Sequence, residues 1–435
     1  MDTALIAGLI LFFSIAIGII LSVPIAVSIG LGAVFATMSV LDFDQAVLTS
    51  SQQLFAGINS FTLLAIPFFV LAGVLMNNGG IAERLIDAGK VLVGRMPGSL
   101  AQTNVVANAM FGSVSGAAVA AAAAIGTVMG PRQEREGYDR NFSAAVNVAS
   151  APAGMLIPPS NTFIVYALVS SSSIAALFMA GVGPGLLWAL ACFIVVYIYA
   201  RKRPELKSAD RVTLSAALLT LLRALPSLLM IIIVIGGILT GIFTPTESAA
   251  IAVVYCLVLG FAYRNIKISH LPAILLDAAR TTAIVMLLVG VSTAMAWVMS
   301  FALIPDMIAE ALLGISDSPT VILLIMMGIL LVVGTFMDPT PAILIFTPIF
   351  LPIVTEFGIS PIHFGAMIVM NLCVGTITPP VGNVLFVGAR VAGLRIEPVV
   401  QKLLPFLLAL IIMLFVVVFI PQISMWLPTQ LGLVE

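Results

Sequence analysis

Proline recurs in this chain at a fixed interval. Pro158-Pro159 has its counterpart in Pro379-Pro380, 221 residues later, and Pro24, Pro131 and Pro184 pair with Pro245, Pro352 and Pro405 at the same spacing. Five of the nine prolines before residue 211 therefore have a partner. Composition alone would give about 0.6 such matches. Proline removes a backbone donor and clashes with the turn before it, so its positions mark where a chain resists being plain helix. Their repetition predicts a duplicated fold in which both halves carry the same breaks.

The segments between the breaks are apolar. Hydrophobic residues make up 61% of the chain and charged residues 9%, with a mean hydropathy of +1.22. A soluble domain carries about 25% charged residues, so this chain has too little polar surface to face water and its solvent is the bilayer. Apolar runs at 4–22, 181–200, 226–243, 320–335 and 403–420 approach or reach the ~20 residues that cross a membrane, and together with the broken runs they predict roughly ten to twelve passes. The fold class is an all-α polytopic membrane protein. A net charge of −1 offers nothing to nucleic acid. Cys192, Cys256 and Cys373 stand isolated in apolar runs, without metal or disulfide spacing. Residues 1–40 lack a basic n-region and a cleavage site and read as a retained membrane segment.

Charge marks the joints. The most basic stretch, Arg201-Lys202-Arg203-Pro204-Glu205-Leu206-Lys207, separates the halves, and the positive-inside rule puts it in the cytoplasm. Residues 81–96 and 304–316 are too polar to span and too apolar to float. Each reads as a helix lying in the interface and joining two mobile parts, or else as an ordinary loop helix. Beyond each of them lies a region that cannot be a plain spanning helix. In the first half it is Gly112–Gly130 followed by Ala151–Asn161, and in the second Gly334–Pro352 followed by Gly375–Asn383. A proline pair with a glycine four residues upstream should unwind the chain. Carbonyls freed in hydrocarbon are tolerated only where protein, ions or water satisfy them.

Those unwound segments carry the candidate chemistry. Freed carbonyls beside hydroxyls make a hard-oxygen cage suited to Na⁺. In the first half the carbonyls come from around Gly154, Ile157 and Pro159, with Ser113 and Ser115 nearby; in the second they come from Gly375 and Thr378, with Gly334 and Thr335. The alternative is a pair of kinked, packed helices that hold no ion. Asp338, in Met337-Asp338-Pro339-Thr340, is an ionisable group at membrane depth, which is costly and marks function by default. It can accept from a substrate hydroxyl, pair with a cation, or simply cap the helix after Pro339. Asn161 and Asn383 follow the two proline pairs and bring amides toward the same cavity, with Thr340 a further substrate-facing candidate. An anionic substrate would suit the N-terminal dipoles of half-helices. Thr244 and Glu247 read as a capping box. His270 and His363 show no metal spacing, and phosphate loops, nucleotide fingerprints and hydrolase elbows are missing. No cofactor and no catalytic residue is expected, so energy must come from a gradient or from another subunit.

Several stretches resemble the large membrane subunit of tripartite ATP-independent periplasmic (TRAP) transporters. They are Gly241-Ile242-Phe243-Thr244-Pro245-Thr246-Glu247-Ser248-Ala249-Ala250, Met337-Asp338-Pro339-Thr340-Pro341-Ala342 with Pro348, Ser115-Gly116 ahead of an alanine-rich run, and both proline pairs. The likeness runs over essentially the whole chain, in order. It implies two inverted repeats, each with a re-entrant hairpin and a broken helix, arranged as an elevator-type scaffold and a moving transport domain. Residues 1–210 would form the first repeat, with an arm at about 81–96, a hairpin at about 101–130 and a broken helix at about 142–167. Residues 211–435 would form the second, with an arm at about 304–316, a hairpin at about 320–355 and a broken helix at about 365–390. It also implies Na⁺ as coupling ion, residence in the bacterial inner membrane, a small four-helix membrane subunit, and a soluble periplasmic protein that delivers an organic acid. By residue it places one sodium site on Ser113, Ser115, Gly154, Ile157 and Pro159, a second on Gly334, Thr335, Gly375 and Thr378, and Asp338 beside the substrate. Many family members carry an Asp in the first alanine-rich run, where this chain has VAAAAA with Ala121 as the equivalent, which leaves Asp338 alone.

The reading is a Na⁺-coupled importer subunit for a sugar acid, sialic acid or C4-dicarboxylate. A self-sufficient dicarboxylate or citrate carrier would share the repeats and need no partners. An ATP-driven permease would need a nucleotide-hydrolysing subunit, and a membrane enzyme or proton pump would need buried Lys, Glu or His relays, of which the chain has almost none.

Overall fold

The computed structural model describes residues 3–21, 23–94, 96–203, 206, 214–316 and 318–434, and every regular element among them is a helix. The expected joint at residues 210 and 211, with Pro204, Glu205 and Lys207 of the basic stretch, lies outside the described residues.

Among the described residues eight helices are long and apolar enough to cross a membrane, or nine if the pair Arg140–Leu156 and Asn161–Ser170, bent by 44°, counts as one span. That is fewer than the sequence predicts. Three further apolar helices, beginning at Thr3, Ile25 and Pro361, fall below that length among the described residues and add to the possible passes. Large side chains such as Phe12, Ile232, Val254 and Leu408 are more than half exposed or close to it along the spans, as lipid-facing positions should be.

Helix starts follow proline. Pro245, Pro319, Pro339 and Pro361 each open a helix, in the first turn where a missing N–H costs nothing. Thr244 and Glu247 make the expected capping box, the Thr244 amide donating to Glu247 Oε2 at 2.7 Å. The repeated prolines are not all breaks, however. Pro131, Pro184, Pro352 and Pro405 sit inside continuous helices, where the membrane setting tolerates them.

Shifted by 221 residues, helix Ala118–Arg135 falls end for end on Pro339–Glu356. Arg140–Ser150 with Ala153–Leu156 falls likewise on Pro361–Ile377. In each half, two antiparallel helices form a hairpin: Ser99–Ser115 with Ala118–Arg135, and Pro319–Phe336 with Pro339–Glu356. The broken helices form the centre. Every residue from Phe142 to Ser150 and from Ile362 to Ile377 is buried. They lock together at Gly365, where a Cβ would stand 2.5 Å from the Tyr166 ring, while Tyr166 Oη donates to the Pro361 carbonyl at 2.6 Å. Around this centre pack the hairpin helices with Ile174–Arg201 and Ile396–Phe419, while Ala65–Asn78 and Leu271–Phe301 touch its edge and the hairpins and carry Pro245–Ala262 and Ile25–Met38 on their far sides. The short helices Ile81–Val93 and Ile304–Leu313 occupy the arm positions.

Candidate functional site

Each unwound segment begins where a helix runs into its proline pair. In the first, Ile157 turns extended (φ −82°, ψ 127°) ahead of Pro158-Pro159, and the helix resumes at Asn161. Ser160 and Thr162 hold this turn, with hydroxyls 2.7 Å apart that both donate to the Met155 carbonyl. In the second, Thr378 turns extended (φ −92°, ψ 132°) and the helix resumes at Asn383. Both proline–proline peptides are cis. Gly382 adopts φ +43° and donates its amide to the Thr335 carbonyl at 2.9 Å, tying broken helix to hairpin. A Cβ there would stand 2.9 Å from the Thr378 carbonyl oxygen and 3.0 Å from that of Thr376, so glycine keeps those oxygens uncrowded.

Glycine pairs cross each hairpin over its broken helix. A Cβ on Gly154 would lie 2.2 Å from the Gly112 backbone, and one on Gly375 would lie 2.5 Å from the Gly334 backbone. The crossings lie in the last helical turn before each unwound segment, where Ser113 meets Gly154 and the Thr335 carbonyl accepts from the Gly382 amide. Ser113 Oγ donates to the Met110 carbonyl at 2.9 Å, Thr335 Oγ1 to Val332 at 2.7 Å and Thr378 Oγ1 to Val374 at 2.7 Å. A hydroxyl that gives its proton to its own helix keeps its lone pairs for another donor or a cation. Ser115 Oγ is buried without a hydrogen-bond partner among the described residues.

A cavity of about 660 Å³ lies between the hairpin tips and the helices Ile25–Met38 and Leu271–Phe301. Asp338, Thr340, Asn161 and Asn383 all line it, together with Gly116 and Thr376. Asp338 Oδ1 accepts from the Thr340 amide at 3.3 Å and Oδ2 from Asn383 Nδ2 at 2.9 Å. Asp338 thus caps helix Pro339–Glu356 and also faces the cavity. Across the tips, a Cβ on Gly116 would lie 2.3 Å from Asn161 Nδ2, so this amide packs directly on the first hairpin turn. Among the described residues, Asp338 is the one charged residue lining the cavity. Ala117, its counterpart at the 221-residue offset, lines it too, whereas Ala121 is fully buried away from it.

The sodium candidates Ser113, Ser115, Gly154, Ile157, Pro159, Gly334, Thr335, Gly375 and Thr378 do not line this cavity; Ser113 and Gly154 meet at the first crossing, and Gly334 and Gly375 form the second. The side chain of Ile157 faces helix Ile174–Arg201, close enough that a Cβ on Gly185 would meet its Cγ1 at 2.5 Å. Sequence reasoning gave no role to Gly382 or Thr376, and named Gly112 only as a segment boundary and Gly116 only within the Ser115-Gly116 motif. A glycine just past the end of helix Ser99–Ser115 was the available signal for Gly116, whereas Gly382 stands at the N-terminus of helix Asn383–Val391. The closeness of Gly112 to Gly154 has no local signature.

The model of the tripartite ATP-independent periplasmic transporter DctM component matches residues 12–423. The chain is 52% identical over 422 residues, 97% of each chain, to the uncharacterized protein YgiK of Salmonella typhimurium. It is 41% identical to the C4-dicarboxylate TRAP transporter large permease protein DctM of Pseudomonas aeruginosa, over 88% of this chain and 89% of that one. Its fold is similar to the crystal structure of the Alcanivorax borkumensis YdaH transporter, with a TM-score of 0.67 at 14% identity, covering 99% of both chains. The hairpins, the broken helices and the whole-length match lead to one conclusion: the chain belongs to the large permease (DctM) family of TRAP transporters.

Proposed function

We propose that this protein imports an organic acid, of the sugar-acid or C4-dicarboxylate kind, by Na⁺-coupled elevator transport. One observation carries the reading: the glycine crossings and the unwound chain just beyond them stand beside a cavity whose only charged lining group among the described residues is Asp338. An acid entering that cavity meets no Lys or Arg, so its charge must be balanced otherwise. Na⁺ held at the crossings and the half-helix N-termini at Asn161 and Asn383 supply that balance. Asp338 then accepts from a substrate hydroxyl or remains paired with Asn383. The relative named for C4-dicarboxylates supports the substrate class.

In this reading residues 1–210 and 211–435 are inverted repeats. The hairpins and broken helices move as one body against the remaining scaffold, and the arms connect the two. The contacts Lys402–Asp139, Phe142–Tyr199 and Arg203–Tyr199 gather basic residues at one end of the molecule. The opposite end, where Tyr166 meets Pro361 and His363 meets Ser424, carries no Lys or Arg within residues 356–363 or 420–430. The positive-inside rule therefore turns the basic end to the cytoplasm of an inner membrane. A small membrane subunit and a soluble periplasmic delivery protein complete the system.

The test is uptake of a labelled C4-dicarboxylate by vesicles holding this chain with its small subunit, supplied with the delivery protein and an inward Na⁺ gradient. Uptake should need all three proteins and Na⁺. Full uptake by this chain alone would favour a self-sufficient carrier, and uptake indifferent to Na⁺ would remove the coupling.

A further inference from the structure

A second cavity, of about 270 Å³, lies at the basic end between the first hairpin and the first and second broken helices. Asn104, Ser143 and Asn147 line its buried side, the exposed Thr127 lines it too, and Arg140 and Glu134 stand at its mouth, their side chains half exposed and 3.6 Å apart. Asn104 is 1% exposed and Ser143 5%, and neither Asn104 Nδ2 nor Ser143 Oγ has a hydrogen-bond partner among the described residues. Buried polar groups without protein partners at the edge of such a space are what an entering water would satisfy.

The polar surface does not stop at the cavity floor. Asn108 Nδ2 lies within hydrogen-bond distance of four oxygens: Asn104 Oδ1 at 2.8 Å, Ser150 Oγ at 2.8 Å, Asn147 Oδ1 at 3.0 Å and the Asn147 carbonyl at 3.3 Å. An amide has two hydrogens, so oxygens remain over. One helical turn beyond Asn108 and Ser150 lie Gly112 and Gly154, the first crossing. Asn104, Asn108, Ser143, Asn147 and Ser150 thus form a ladder of oxygen and amide groups from cavity to crossing. The second repeat lacks it. Counted back from Gly334 and Gly375, the matching positions are Met326, Leu330, Phe364, Ile368 and Asn371, the first four of them buried hydrocarbon.

We propose that this cavity and ladder are a hydrated pathway by which a small cation at the first crossing exchanges with solution at the basic end, and that the second crossing has no such pathway. The inference rests on the reading of the first crossing as a Na⁺ site. A cation leaving the crossing would pass from carbonyls to Asn108 and Ser150, then to Asn104, Asn147 and Ser143, and then to water. It meets oxygen at each step, so it is never stripped of ligands in hydrocarbon.

The test uses the complete transporter in vesicles, with Cys192, Cys256 and Cys373 replaced by alanine. A single Ser143→Cys should react with a charged, membrane-impermeant methanethiosulfonate supplied at the basic end, while Phe364→Cys should not. An unreactive Ser143→Cys, or an equally reactive Phe364→Cys, overturns the proposal. In the otherwise native chain, Asn108→Leu should slow exchange of radioactive ²²Na⁺ at least about tenfold, since one polar rung becomes hydrocarbon in the barrier, with the Na⁺ concentration for half-maximal uptake unchanged. Exchange at the native rate overturns the pathway and leaves the Na⁺ site standing. If uptake by the native transporter proves independent of Na⁺, the site itself falls, and the pathway with it.

Discussion

Asp338 concentrates the residue-scale argument. It caps a helix and faces the cavity with its second oxygen held by Asn383. Asp338→Ala should abolish uptake, and losing the cap should cost only about 1 kcal/mol, so the protein remains folded. Asp338→Asn keeps a capping side chain and removes the charge, so transport should also fail in it. Normal uptake by either variant would take Asp338 out of the mechanism. Thr378 donates its hydroxyl proton to Val374, leaving lone pairs for an ion. Thr378→Ala should raise the half-saturating Na⁺ concentration roughly tenfold, equivalent to ~1.4 kcal/mol, and an unchanged titration would dismiss the hydroxyl as a ligand. Asp338 was legible in the sequence because a lone carboxylate in an apolar run needs a reason. Its pairing with Asn383, across the gap between hairpin and broken helix, was not, because tertiary packing alone brings them together.

At the scale of elements, the breaks were readable and the crossings were not. Two successive prolines forbid helix wherever they occur, so both unwound segments could be placed from sequence. Gly112 against Gly154 and Gly334 against Gly375 depend on how hairpin meets broken helix, and a helical glycine carries no mark of its partner. Gly375→Ala would put a methyl 2.5 Å from the Gly334 backbone, a strain of about 1–3 kcal/mol relieved only by parting hairpin from broken helix. Na⁺-dependent uptake should be lost in this variant while it still purifies as a folded protein; native transport kinetics would show the crossing is incidental. The start of the first broken helix offers a stability test. Asp139 caps it through the Asn141 amide and pairs with Lys402 at 3.0 Å. Burial alone would raise this carboxyl, but Lys402 and the amides of Asn141 and Phe142 outweigh it and hold it below its ordinary value. A lowered pKa stabilises the fold above the usual carboxylate range and loses that effect as pH falls through the folded value. Asp139→Asn, which can still cap, should cost roughly 0.5 kcal/mol for the partly exposed ion pair, and Asp139→Ala about 1–2 kcal/mol with the cap lost as well. Thermal unfolding in detergent at neutral pH should show that order, and the gap between wild type and Asp139→Asn should close in strong acid.

For the whole molecule, the 221-residue interval in the prolines became a register of helices, matched end for end through the second hairpin helix and the first part of the broken helix. The backbone plan was therefore legible from a few residues whose constraint is local. The distribution of chemistry over that plan was less so. Asp338 faces the cavity where the first half offers Ala117, while the first half holds the asparagine ladder that the second replaces with hydrocarbon. The two halves share a scaffold and differ in what they place on it. The central claim is that Na⁺ and an organic acid cross together. Parallel uptake of ²²Na⁺ and a labelled organic acid into the same vesicles, with the complete transporter and its delivery protein, tests it most directly. The account predicts that acid drives Na⁺ entry, that each flux requires the other, and that Asp338→Ala abolishes both; acid entering at full rate without Na⁺ movement would contradict it.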